Sequence, residues 1–132
     1  DDDGESSSWR CVFLDASLNR LRDIDAITDQ PGLCNVIILD VSHNLIDDLD
    51  AAQEFRRIQV LVAANNQLES ARALGDLGKG SNLRHLDLSH NLISIMEAPR
   101  SPRSFRHLKE LRLASNCLES FEEDAAVSLP SL

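Results

Sequence analysis

Residues Leu83–Met96 read LRHLDLSHNLISIM. Leu83, Leu86 and Leu88 lie three and then two residues apart, Asn91 follows three after Leu88, and Ile93 two after that. Outward from this stretch the pattern L-x-x-L-x-L-x-x-N-x-L recurs. Leu108, Leu111, Leu113, Asn116 and Leu118 repeat it downstream, and Val36, Leu39, Val41, Asn44 and Ile46 repeat it upstream. Ile58, Leu61, Ala63, Asn66 and Leu68 match with one Ala; Cys11, Leu14, Ala16, Asn19 and Leu21 match with a Cys and an Ala. The asparagines Asn19, Asn44, Asn66, Asn91 and Asn116 are spaced by 25, 22, 25 and 25 residues. A fixed period of this length marks an array of stacked units.

Within each copy the fourth and sixth positions are apolar, which reads as a short strand with one buried face. The Asn follows where the chain must bend. Its amide can serve backbone donors and acceptors that the bend leaves unpaired. Stacked copies would then form an Asn ladder. After the Asn, apolar residues come every three or four positions, as in Ile46, Leu49, Ala52, Phe55 and Ile58. That spacing predicts helical or 3₁₀ turns on the return path. One unit cannot bury its own apolar side, so neighbours must stack on it.

From Trp9 onward these residues resemble the leucine-rich repeat family. The resemblance implies a right-handed α/β solenoid, with a parallel sheet on the concave face and helical or irregular turns outside. The 22-residue second repeat is similar to the short intracellular class, whose members include phosphatase-1 regulatory subunits, the leucine-rich dynein light chain and the tubulin-folding cofactors. Repeats are expected to start near residues 11, 36, 58, 83 and 108, giving a repeat domain over 9–132 behind an acidic, Ser-rich tail over 1–8. Leu132 falls where a sixth repeat would begin, so the sequence reads as a piece of a longer protein or as an end that folds over itself.

Composition fits a folded array. Of the 132 residues 42% are hydrophobic and only 4% aromatic, so Leu and Ile must do the packing. The net charge of −9 argues against general affinity for nucleic acid or an anionic membrane. No apolar run approaches the roughly 20 residues of a membrane-spanning helix. The three cysteines, Cys11, Cys34 and Cys117, show no metal-ligand spacing. They lack the cysteine-rich caps usual in secreted members of the family, which points to reduced thiols in cytoplasm or nucleus.

Candidate chemistry is sparse. Gly75–Ser81 invites a phosphate-loop reading, but Gly80 interrupts the step from Lys79 to Ser81. Arg100, Arg103, Arg106, Lys109 and Arg112 make one basic zone, with Ser101-Pro102 inside it, which reads as a solvated loop or a regulatory edge. No nucleophile, base and orienter recur together, so no enzyme, cofactor, metal or small-molecule substrate is expected.

The repeats do build a surface. Positions three, five and eight of each copy are expected to point out of the concave face. Position three gives Phe13, Ile38, Val60, His85 and Glu110. Position five gives Asp15, Asp40, Val62, Asp87 and Arg112. Position eight gives Leu18, His43, Asn65, His90 and Ser115. The first three repeats are apolar with an Asp border, and the last is charged. The expectation is a protein-interaction module or scaffold for a protein partner. The alternatives are a regulatory subunit that docks on an enzyme such as a phosphatase, or a component of a cytoskeletal or ciliary assembly.

Overall fold

The computed structural model describes residues 11–70, 82–96, 107–118 and 120–121, without the side chains of 95, 96, 120 and 121. The acidic tail, Trp9, the Gly75–Ser81 loop and Arg100 to Arg106 lie outside the described residues.

Five three-residue strands form one parallel sheet: β1 (Phe13–Asp15), β2 (Ile38–Asp40), β3 (Val60–Val62), β4 (His85–Asp87) and β6 (Glu110–Arg112). The register pairs the same repeat position throughout. Leu14, Leu39, Leu61, Leu86 and Leu111 face one another in a row. The shorter second repeat therefore adjusts its length on the return path and not in the strand. Beyond the strands the ladder continues for one residue, with Ala16, Val41, Ala63 and Leu88 N–H donating to Asp40, Val62, Asp87 and Arg112 carbonyls at 2.8–2.9 Å.

The core is built from the pattern residues. Val36, Leu39, Val41 and Ile46 are buried, as are Ile58, Leu61, Ala63 and Leu68, and Leu83, Leu86, Leu88 and Ile93. Ile24 and Ile27 from the first return path and Leu49, Ala52 and Phe55 from the second close it on the far side. Cys11, Leu14, Ala16 and Leu21, and likewise Leu111 and Leu113, are only partly buried, because each end repeat is covered on one side among the described residues.

The return paths differ together with the residue at one position. In repeat one, Asp23 Oδ1 accepts the Asp25 amide at 3.0 Å at the start of α1 (Asp25–Thr28). In repeat two, Asp48 Oδ1 accepts the Asp50 amide at 2.8 Å at the start of a 3₁₀ turn over Asp50–Glu54. Such Asx contacts favour a turn into helix. Pro31-Gly32 forms a turn after α1, and a second 3₁₀ turn follows at Leu33–Asn35. In repeats four and five the equivalent positions hold Ile95 and Ser120. There the path opens with strands, β5 (Ile95–Met96) pairing in parallel with β7 (Ser120–Phe121). The expected helical spacing thus holds in repeats one and two, while a second short sheet appears where no Asp caps the turn.

Candidate functional site

The ladder of asparagines ties the strand ends together. Asn44, Asn66 and Asn91 are 4–7% exposed. Asn91 Nδ2 donates to the carbonyls of Leu88 and Ser89 in its own repeat and to Ala63 in the previous one, at 2.9–3.2 Å. Its Oδ1 accepts the Leu68 amide at 3.0 Å. Asn44, Asn66 and Asn116 repeat the arrangement, with Oδ1 accepting from Leu21, Ile46 and Ile93. Each amide therefore staples one turn to the next.

On the outer side of the same strands lies the concave face. Phe13, Ile38, Val60, His85 and Glu110 stand side by side in register, and so do Asp15, Asp40, Val62, Asp87 and Arg112. Phe13 is 59% exposed; Ile38, Val60 and Val62 are half-buried by their neighbours. Val60, Val62, His85, Asp87, Glu110 and Arg112 line a shallow concavity of about 240 Å³ over Leu61 and Leu86.

Position eight lies outside the strands, which run only from position three to position five. Leu18, His43, Asn65, His90 and Ser115 occupy the turn, each with φ between 55° and 59°. The first four donate their N–H groups to Ser42, Ala64, Ser89 and Ala114 carbonyls in the next repeat. Asn and His tolerate left-handed backbone better than most side chains. The recurrence of His43 and His90 in this slot is thus explained by the turn. Leu18, 77% exposed, has no such rationale and extends the apolar surface at the rim.

The Asp border also has a structural half. Asp15 Oδ1 accepts both the amide and the hydroxyl of Ser17, at 3.0 and 2.5 Å. Asp40 Oδ1 accepts the same two groups of Ser42, at 2.9 and 2.6 Å. Asp87 Oδ1 accepts the Ser89 amide at 2.9 Å. Where position five is not Asp, as at Val62 and Arg112, position seven is Ala, at Ala64 and Ala114. The pair changes together, so Asp-x-Ser is a turn device that the expected site list lacked; the signal was in the sequence as D-A-S, D-V-S and D-L-S. These bonds from Ser17, side chain first, hold the Asp15 carboxyl below the usual range.

At the far end of the face the charges satisfy one another. Arg112 Nε donates to Glu110 Oε2 at 2.9 Å, and His85 Nδ1 lies 3.3 Å from Glu110 Oε1. The Arg112 hydrogen bond is the main reason the Glu110 carboxyl titrates low, and the same bond raises Arg112. Asp15 and Asp40 have no cation partner among the described residues. Among those residues no three His, Cys, Asp or Glu side chains are grouped to hold a metal ion, and no helix is long and apolar enough to cross a membrane.

Comparison with known proteins agrees with this architecture. A family model described as Leucine Rich repeats (2 copies) matches residues 81–131. Among solved structures, an internalin from Listeria monocytogenes superposes with a TM-score of 0.71 at 22% identity, over 92% of this chain and 32% of that one. At that identity the likeness is one of fold, and the chain spans about a third of the internalin's length. No curated protein gives a significant match. The five phased repeats, the Asn ladder and the structural likeness define an α/β solenoid fold, and residues 81–131 match the leucine-rich repeat family model.

Proposed function

We propose that this chain is a protein-interaction module that binds a partner protein through the concave face of its sheet and performs no chemistry of its own. One observation carries the reading. Phe13, Ile38 and Val60 form an in-register apolar row on the outer face of the sheet, beside Val62 and Leu18 at the rim. Clustered apolar side chains on a soluble surface mark contact sites, and the inward face of the same strands already supplies the core.

The test is affinity capture with two baits, the chain itself and a variant carrying Ile38→Glu, Val60→Glu and Val62→Arg, both first shown to be folded by circular dichroism. A partner held by the first and lost by the second supports the concave site. The same proteins on both baits refute it and move attention to the basic zone from Arg100 to Lys109 or to the return-path side.

The finer reading places the module in the cytoplasm, as a regulatory subunit of an enzyme or a part of a cytoskeletal assembly. It is supported by the 22-residue second repeat with its 3₁₀ return at Asp50–Glu54. A change in the activity of a captured enzyme favours the first, and co-sedimentation with microtubules the second.

A further inference from the structure

We infer that the occupant of the concave face is an amphipathic helix of a partner protein, with its apolar stripe bordered by Lys or Arg. The inference rests on the concave-face reading above and names the chemistry of the partner.

Charge is the first argument. Asp15 and Asp40 are neighbours in register, about 4.8 Å apart across adjacent strands. No cation among the described residues pairs with either carboxylate. Only Oδ1 of each is engaged by its Ser. The second oxygen keeps its lone pairs for something else. Further along the face, Glu110 is already held by Arg112 and His85. Among the described residues, carboxylates without a cation partner therefore lie beside the apolar row Phe13–Ile38–Val60.

Dimensions are the second argument. The strands are three residues long, about 10 Å, and five of them span about 19 Å across the sheet. A helix is about 10–12 Å across with its side chains and rises 1.5 Å per residue. One helix of about 13 residues, lying across the strands, fills that strip. Its i, i+3 and i+4 side chains are about 5–6 Å apart, close to the strand spacing that separates Phe13 from Ile38 and Asp15 from Asp40. An apolar ridge would follow Phe13, Ile38 and Val60 on the position-three row, and cations on its flank would meet Asp15 and Asp40 on the position-five row about 6.6 Å away. A strip of this size is below the roughly 800 Å² per partner of a stable interface, so the contact is expected to be weak and salt-dependent.

The experiment is a display selection on the immobilised chain, using 15-residue helical peptides with a fixed Leu stripe and randomised flanks. The expected result is enrichment of Lys and Arg along one flank. An enriched peptide should then bind the Asp15→Asn, Asp40→Asn variant about fivefold more weakly, the effect of two exposed ion pairs. Asn retains the oxygen that accepts from Ser17 and Ser42, so the turns survive while the charge is removed. Enrichment without charge bias, enrichment of acidic flanks, or no enrichment overturns the inference. Binders that survive Ile38→Glu and Val60→Glu overturn the concave reading as well, which separates the two failures. Dimerisation in sedimentation velocity that Val60→Glu abolishes would give the face to a second copy of the chain and overturn the helix.

Discussion

Replacing Asn91 by Ala tests whether the ladder carries the stability its geometry implies. Asn91 is 4% exposed and makes four bonds. The three carbonyls it serves each keep another donor: Ala63 retains Asn66 Nδ2, Leu88 retains Asn116 Nδ2, and Ser89 retains the Asn65 amide. The Leu68 amide has only Asn91 Oδ1 and would be stranded in the core. An orphaned buried donor costs about 1–3 kcal/mol, and the weakened carbonyls add to it, for a total of about 3 kcal/mol. Asn19 also sits in the ladder row, but it is exposed and, among the described residues, its side-chain Nδ2 donates only to the Ala16 and Ser17 carbonyls. Asn19→Ala should cost about 1 kcal/mol or less. Urea titrations followed by circular dichroism would read both, and amide exchange at Leu68 would report the orphan directly. Asn91→Asp keeps the acceptor for Leu68 but turns a charged oxygen on three carbonyls. It should be worse than Ala at pH 7 and partly recover in acid, when the carboxyl can donate again. Equal costs at Asn19 and Asn91, or a cost below about 1 kcal/mol at Asn91, would refute the reasoning.

Three further outcomes follow from the same geometry. Val62→Asp inserts a third carboxylate between Asp40 and Asp87 and should destabilise; adding Ala64→Ser should recover about 1 kcal/mol of that loss by rebuilding the Asp-x-Ser turn, read as the coupling in a double-mutant cycle. The Asp25 carboxyl is raised by repulsion from Asp23, with desolvation, Asp48, Asp29 and Asp50 adding to it, so its ionised form works against folding and acidification relieves it; Asp25→Asn should raise the thermal midpoint at pH 7, by less in high salt. Asp15 has the opposite sign: its folded pKa is depressed, so its contribution is present above the unfolded aspartate range and is lost as pH falls through the folded value, and carboxyl NMR should find Asp15 titrating below Asp25.

The fold was legible because it is written five times. Any one of the copies from Cys11, Val36, Ile58, Leu83 or Leu108 could have been chance; their phase could not. The register followed from the same phase, since a slip of one residue would turn every core leucine outward. What escaped the pattern was local turn chemistry. The left-handed backbone at Leu18, His43, Asn65, His90 and Ser115 is set by the bend between strand and ladder, and a period-two reading cannot see where a strand stops. The second sheet at Ile95–Met96 and Ser120–Phe121 coincides with the absence of Asp at one return-path position, a signal visible only once Asp23 and Asp48 are seen to accept turn amides.

The concave face is less legible for a physical reason. Core positions are constrained by packing, so their identities repeat and announce themselves. Positions three and five on the outer face are free of that constraint, and their lack of repetition carries the information. Phe13, Ile38 and Val60 give way to His85 and Glu110 along one row, and Asp15 and Asp40 to Arg112 along the other. A surface selected only for solubility would have no reason to keep three apolar side chains adjacent to two carboxylates that have no cation partner among the described residues. The Asp-x-Ser turns explain one oxygen of each carboxylate. They leave the second oxygen and the apolar row unexplained by folding, and that remainder is the part of the molecule that a partner can account for.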